Sequence, residues 1–127
     1  MQPNEKDFAR FIQKCLFDPF TGCVNWIGGR TSRGGPGRIE YGSFWFNGKR
    51  WAAHRFSGLF IHQLEIENLH VDHICRNPLC MHHLQAIPGP VNYRLRWERE
   101  TEVIIEENPI PFYVEPDWYE RLRQYAR

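Results

Sequence analysis

The chain has 127 residues, which suits a single domain with a tail, and its formal net charge of +1 does not by itself indicate a nucleic-acid partner. No run of about 18 apolar residues occurs, so we expect no transmembrane helix and no membrane partner. The polar opening MQPNEKDFAR predicts no secretory signal. We therefore expect a reducing, cytoplasmic setting, in which the cysteines are free to bind metal.

Charge is unevenly distributed along the chain. Residues 24 to 55 carry six basic side chains and one acidic side chain, whereas residues 98 to 120 carry eight acidic side chains and only Arg99 as a base. A basic segment is typical of a surface that binds phosphate groups, although a solvated surface crossed by salt bridges has the same composition. DNA would repel the acidic segment, which is expected to lie away from it.

The first third of the chain is predicted to begin with a helix over residues 5 to 16, capped by Asn4. Cys15 falls on the apolar face of this helix and is expected to be a buried apolar side chain. A turn at 18–22, a short strand at 23–27 and a glycine-rich loop at 28–37 are predicted to follow.

The clearest local signal is Asn47-Gly48, which predicts a type I′ turn between strands at 39–46 and 49–53. A helix is predicted over 53–63. Two short strands, at 70–73 and 84–87, are expected on either side of a loop, and Pro88-Gly-Pro90 is expected to open a helix over 91–100.

Beyond residue 100, prolines and acidic residues predict a linker and then a final helix over 116–127, whose acidic start and basic end suit the helix dipole. We therefore interpret the chain as an N-terminal helix (1–21), a central domain (22–100) and a tail (101–127), with an α+β fold.

The stretch Cys75-Arg-Asn-Pro-Leu-Cys80-Met-His-His83 offers two thiols and an imidazole within nine positions. Thiolate sulfur and imidazole nitrogen are the ligands that Zn²⁺ prefers, in tetrahedral geometry. A structural site needs a fourth ligand, and Cys23 is the available thiol. Because the spacing differs from the common Cys-x2-Cys pattern, buried thiols beside a surface histidine are the alternative.

Asp72-His73, at the end of a predicted strand, and Asn92, near the start of a predicted helix, offer the groups that phosphodiester hydrolysis needs. A neutral His73 can deprotonate water. The oxygens of Asp72 and Asn92 are hard ligands suited to Mg²⁺, or to Mn²⁺ in its place. Because adjacent strand residues point to opposite faces, the strand must end or twist for Asp72 and His73 to share a site. In isolation, an Asp-His pair is more often incidental.

Residues 22 to 94 resemble the phage-type HNH endonucleases that have cysteine ligands, and they are similar to the His-Cys box homing endonucleases. The segments that carry the resemblance are, in chain order, Gly22-Cys-Val-Asn-Trp26, Tyr41-Gly42, Asn47-Gly48-Lys49, Ala53-His-Arg55, Val71-Asp-His-Ile-Cys-Arg-Asn77, Cys80, His83-Leu84 and Asn92. The zinc-bearing DNA-binding domain of the Smad transcription factors resembles the same scaffold and does not cleave. A non-catalytic, zinc-containing DNA-binding module is therefore the alternative function.

The resemblance implies a ββα-metal (His-Me finger) core, with an N-terminal helix, a β-hairpin and a zinc-bound loop. The implied activity is metal-dependent cleavage of duplex DNA, with His73 as the general base and the catalytic Mg²⁺ held by Asp72 and Asn92. The implied structural zinc ligands are Cys23, Cys75, Cys80 and His83.

The zinc loop is two residues shorter than the family pattern Cys-Val-Asn-Pro-x-His-Leu, which leaves His82 and His83 as alternatives for the imidazole ligand. We favour His83, because Leu84 follows it as leucine does in the family. In the Ala-His-Arg motif, His54 is expected to be a packed, hydrogen-bonded side chain, and Arg55 is expected to reach the scissile phosphate.

Double-stranded DNA is the expected partner. The hairpin at 39–53 fits the major groove, and the family fold implies that the helix after residue 90 lies along the minor groove. The basic residues expected to contact DNA are Arg30, Arg33, Arg38, Lys49, Arg50, Arg76, Arg94 and Arg96. Tail exchange in the His-Cys box enzymes makes a homodimer through residues 101–127 a further hypothesis.

Overall fold

The computed structural model describes residues 2–31, 40–92, 94 and 113–127. Within these residues the fold is α+β: short helices surround small antiparallel sheets. None of the helices in this part of the chain is both long and apolar enough to cross a bilayer.

The N-terminal helix α1 spans Glu5–Ile12, and Asn4 and Asp7 form a capping box at its start. It ends earlier than predicted, because the chain turns and Cys15–Phe17 (β1) pairs antiparallel with Val24–Trp26 (β2). Cys15 is buried as expected, but in a strand rather than in the helix.

Three strands form the next sheet: Arg30–Thr31 (β3), Tyr41–Phe46 (β4) and Lys49–Ala52 (β5). The type I′ turn is confirmed, because Asn47 has a φ of 52° and Gly48 a φ of 72°. The predicted loop at 28–37 is wrong at β3, which pairs with the start of β4. Residues 32–39 lie outside the described part of the chain.

An aromatic core lies between α1 and these sheets. The ring of Phe11 lies 4.9 Å from both Trp26 and Phe56, and Phe44 lies 4.7 Å from Phe56. A Cβ atom on Gly42 would lie 2.5 Å from Cδ1 of Trp26, so only glycine lets the indole pack directly on β4. The Tyr41-Gly42 pair in the sequence is thus explained by the packing of Trp26.

The helix predicted over 53–63 is shorter than expected. Ala53–Phe56 is α-helical (α2), and Ser57–Ile61 continues it as one π-helical turn. Phe56 is buried in the aromatic core. Gly58 is buried against Val71, because a Cβ atom on Gly58 would lie 3.3 Å from that side chain.

His70–His73 (β6) and Leu84–Ile87 (β7) are strands, as predicted, and pair antiparallel, with His73 opposite Leu84 and Asp72 opposite Gln85. Helical residues 89–92 and 94 (α3) follow, two positions earlier than expected. The described chain here thus runs strand, loop, strand, helix. The later part of the predicted helix and the linker lie among residues 95–112, outside the described part.

The C-terminal helix α4 spans Asp117–Arg123 and ends in a 3₁₀ turn, Gln124–Ala126. Its buried residues Trp118, Tyr119 and Leu122 belong to the same hydrophobic core as α1. The segment we assigned to a separate tail therefore contributes, from residue 117, to the main core.

Candidate metal centre

Four side chains from two separate parts of the chain converge on one point. Cys23 precedes β2, Cys75 follows β6, Cys80 lies in the loop between β6 and β7, and His83 comes directly before β7. One ligand atom from each, three sulfurs and an imidazole nitrogen, lies within 4.8 Å of every other. These residues could bind a metal ion, as the sequence predicted.

Three of the distances within the cluster lie between 3.5 and 3.7 Å. Sγ of Cys23 lies 3.7 Å from Sγ of Cys75 and 3.6 Å from Nδ1 of His83, and Sγ of Cys80 lies 3.5 Å from the same Nδ1. All four cysteines of the described structure, including Cys15, are free thiols. The 3.7 Å between the sulfurs of Cys23 and Cys75 is too long for a disulfide bond, which has a length of about 2.05 Å.

The cluster already favours a thiolate. Hydrogen-bonding contacts with Cys75 and Cys80 hold the pKa of the Cys23 thiol below its usual range. The backbone N–H groups of His82 and His83 both donate to Sγ of Cys80 at 3.4 Å. Such N–H···S contacts stabilise negative charge on a sulfur ligand and orient it.

The loop between β6 and β7 is attached to β2 along its length. Asn77 donates through Nδ2 to Oδ1 of Asn25 at 2.6 Å, Trp26 donates its backbone N–H to Leu79, and Cys80 forms a bridge with Asn25. The Asn25–Asn77 bond was not predicted, because the two residues are 52 positions apart in the sequence. It brings Cys23 to the loop that carries the other three ligands.

His83, not His82, faces the cluster. The imidazole of His82 is directed elsewhere: its Nδ1 accepts a hydrogen bond of 2.9 Å from Nε1 of Trp118 on α4. Burial, with the neighbouring His83 and His62, lowers the pKa of His82 to about 4, so the ring is a neutral acceptor. In the shortened loop, His83 thus belongs to the four-ligand cluster, and His82 is bonded to the C-terminal helix.

His73 lies beside this centre at the end of β6 and is buried. Its ring lies 4.7 Å from that of His54 and 6.2 Å from that of Tyr41. The His73 ring also has a hydrogen bond to the backbone of Cys80. This bond raises the pKa of His73, because a ring nitrogen donates to the carbonyl and the protonated ring is favoured. Burial lowers the pKa of His73 to about 4, because its effect is larger than the opposite effects of the nearby Asp72 carboxylate and of this bond.

His54 is packed, as expected, and its pKa is lowered to about 3 by burial, with smaller contributions from His73 and Arg55. The expected hydrogen bond is absent at one nitrogen: Nδ1 is buried without a partner among the described residues. Both imidazoles of this pair are therefore neutral at neutral pH.

Asp72 and Asn92 are each held by a neighbouring side chain. Oδ2 of Asp72 accepts from Nε2 of Gln85 at 2.9 Å, directly across the two-stranded sheet. Nδ2 of Asn92 lies 3.1 Å from Nδ1 of His70. Asn92 thus reaches β6 two residues before Asp72.

Arg55 is bonded to the backbone of the segment before β6. Its guanidinium donates to the backbone carbonyls of Leu69 at 2.9 Å and Ile66 at 3.5 Å. It holds the segment that leads into β6, because a charged group that is half-buried needs such acceptors. The structure therefore shows that Arg55 holds this backbone segment, and the expected phosphate contact stays a prediction.

The basic residues expected to contact DNA are dispersed. Lys49 and Arg50 are exposed beside the turn of the β4–β5 hairpin, and Arg76 and Arg94 are exposed near the β6–β7 loop and on α3. Arg30 lies 3.7 Å from Glu40, in an exposed ion pair. The remaining candidates, Arg33, Arg38 and Arg96, lie outside the described residues.

Comparisons with known proteins add no family assignment: no family model, no curated protein and no solved structure matches this chain.

Proposed function

We propose that this chain is a metal-dependent endonuclease that hydrolyses phosphodiester bonds in duplex DNA, with the ββα-metal arrangement of the HNH enzymes. One observation carries the proposal. A buried, neutral His73 at the end of β6, directly after Asp72 in the chain, is held by the carbonyl of Cys80, which belongs to the four-ligand cluster.

We assign zinc to the Cys23, Cys75, Cys80 and His83 cluster. Around a tetrahedral Zn²⁺, typical bond lengths predict about 3.8 Å between two sulfurs and about 3.6 Å between sulfur and nitrogen. The corresponding distances here are 3.7 Å, 3.6 Å and 3.5 Å. Because protein atoms would fill all four positions, this zinc is structural and has no place for a water or substrate.

His73 acts as the general base in this proposal. Since one ring nitrogen donates to the carbonyl of Cys80, the other is the basic nitrogen of the neutral ring. It accepts a proton from water as the water oxygen forms its bond to phosphorus, and the bond from phosphorus to the leaving oxygen breaks. The bond to Cys80 fixes the ring before the proton arrives, so no reorientation is needed during the reaction.

Asp72 and Asn92 fit a hard divalent cation by the chemistry of their donors, a carboxylate and an amide oxygen. Asp72 is buried, which restricts access of bulk water to its carboxylate. A bound Mg²⁺ would supply charge neutralisation at the phosphate. The role of the chain is to hold these oxygens, through Gln85 and His70, where the cation is needed.

The DNA partner is supported by exposed basic residues on two separate elements. Lys49 and Arg50 lie beside the hairpin turn, and Arg94 lies on α3. Contacts with phosphates would make binding depend strongly on salt concentration.

A second candidate is a zinc-containing DNA-binding module without catalysis. One observation favours it: Asp72 and Asn92 both already have protein partners, so neither side chain requires a cation. The two functions differ in whether bound DNA is cut.

A plasmid assay separates the two functions. Incubated with Mg²⁺, zinc-loaded protein is expected to convert supercoiled plasmid to nicked or linear forms, and EDTA is expected to stop the conversion. Mobility-shift assays on the same DNA give binding independently. Binding without cleavage at any concentration of Mg²⁺ or Mn²⁺ would overturn the endonuclease proposal and favour the module.

A further inference from the structure

His70 is exposed at the first position of β6, yet its ring has two close neighbours on α3. One is the Asn92 amide, and the other is Gly89, the first helical residue after β7. No motif in the sequence connects His70 with either of them.

The hydrogen bond with Asn92 has only one possible direction. An amide Nδ2 is a donor with no acceptor capacity, so Nδ1 of His70 accepts this bond. With Nδ2 of Asn92 turned to His70, the amide oxygen Oδ1 is directed away from the ring. The hydrogen bond therefore sets the orientation of the Asn92 amide, with its nitrogen toward His70 and its oxygen on the opposite side.

Gly89 keeps the His70 ring in this place. A Cβ at residue 89 would lie 3.2 Å from Nε2 and 3.3 Å from Cε1 of His70, closer than nearly all real Cβ contacts. The absence of a side chain at Gly89 thus lets the imidazole lie against the start of α3. The contacts with Gly89 and Asn92 together hold the imidazole of His70 in one position, in which its Nδ1 can accept from Asn92.

The same face of β6 carries Asp72. Alternate residues of a strand project to one side and lie about 7 Å apart along it. Across the sheet, the amide of Gln85 donates to Oδ2 of Asp72. His70 and Gln85 therefore each fix the orientation of one of the two side chains that we assigned to the catalytic cation.

We infer that His70 is a positioning residue for a divalent-cation site, and that it turns the oxygen of Asn92, not the nitrogen, toward the cation. The inference rests on the proposed function. It follows from ligand chemistry, because Mg²⁺ and Mn²⁺ bind an amide through oxygen and are repelled by the N–H₂ end.

The test uses Mn²⁺ binding to the full-length, zinc-loaded protein, followed by the electron paramagnetic resonance signal of free Mn²⁺. Three proteins are compared: wild type, His70→Phe, which keeps a ring but has no acceptor, and His70→Gln, whose side-chain oxygen can accept from Asn92. We expect His70→Phe to raise the Kd for Mn²⁺ by about 10-fold or more, as lost ligand-orienting partners do. His70→Gln should stay close to wild type.

Zinc content and melting temperature should be the same in all three proteins, which would separate ligand orientation from folding. Equal Kd values for wild type and His70→Phe, or equal weakening in His70→Phe and His70→Gln, would overturn this inference and leave the endonuclease proposal standing. Failure of wild type to bind Mn²⁺ would overturn both.

Discussion

The imidazole of His73 is hydrogen-bonded to the backbone carbonyl of Cys80, so the proposed base is held by a residue of the metal cluster. The same residue accepts two backbone N–H groups at its sulfur and bridges to Asn25 of β2. Folding of the loop and orientation of the proposed base therefore depend on each other, and loss of a metal ion bound by the cluster should affect both.

Cys80→Ser is expected to remove bound zinc and to lower the free energy of unfolding by about 4 kcal/mol or more, because a lost structural ligand releases folding energy supplied by the metal. Metal analysis and urea denaturation measure the two effects. Cys15→Ser is the matched control: Cys15 is also a buried thiol but lies outside the cluster, so this variant should keep its zinc. Zinc bound equally by wild type and Cys80→Ser would refute the assignment.

Gly42→Ala should lower the free energy of unfolding by about 1–3 kcal/mol, the usual cost of overpacking a core. The added methyl group would lie 2.5 Å from Trp26 and 3.0 Å from the Cβ of Ala53, and neither can move without disturbing the aromatic core. Gly29→Ala is the control, since no atom lies within 4 Å of its added carbon. Denaturation curves that show equal stability for the two variants would contradict this packing.

Trp118→Phe should cost about 1–2 kcal/mol, because it leaves the Nδ1 of His82 without its donor and removes part of a buried ring. Trp45→Phe changes an exposed indole, 59% of it accessible, and should cost far less. Zinc release to a chelator should also be faster in Trp118→Phe, since His82 adjoins the ligand His83. Release rates that match wild type would show that α4 does not support the metal loop.

The pH dependence of stability should contain a contribution from His54. Its pKa is about 3 in the folded protein, against 6.5 as the ordinary value, so the unfolded chain binds a proton that the folded chain does not. This contribution is present above pH 6.5 and is lost as the pH falls toward 3; between pH 7 and pH 5 the loss is about 2 kcal/mol.

The variant His54→Gln removes this titration. Urea denaturation at pH 7 and pH 5 should therefore show a smaller loss of stability in His54→Gln than in wild type, whatever the shared effect of acid on the metal centre. An identical loss in both proteins would mean that the imidazole of His54 is not buried in its neutral form.

The sequence predicted those features that depend on neighbouring residues or on ligand chemistry. Asn47-Gly48 specifies its turn because both residues tolerate positive φ, and Cys23 was available to complete a four-ligand site once Cys15 was assigned to the core. The sequence failed where distant pairing decides the structure. The helix at α1 stops because Cys15–Phe17 pairs with β2, and β3 forms because β4 offers it an edge.

In the candidate site, too, local features were predicted from the sequence and contacts between distant residues were not. The spacing of residues 75 to 83 indicated a metal, but it could not show that Trp118 would bind His82 from 36 positions away or that His70 would hold Asn92. The bonds from Arg55 to the carbonyls of Leu69 and Ile66 were likewise not predicted, because these acceptors belong to a segment that the motif does not include.

The most direct test of the central claim is the single-turnover rate of DNA cleavage by zinc-loaded His73→Ala beside wild type, in Mg²⁺ and with equal zinc content verified. Loss of a general base predicts a rate at least about 100-fold lower, with DNA affinity unchanged. Equal rates in the two proteins, or no cleavage by wild type on any duplex, would contradict it.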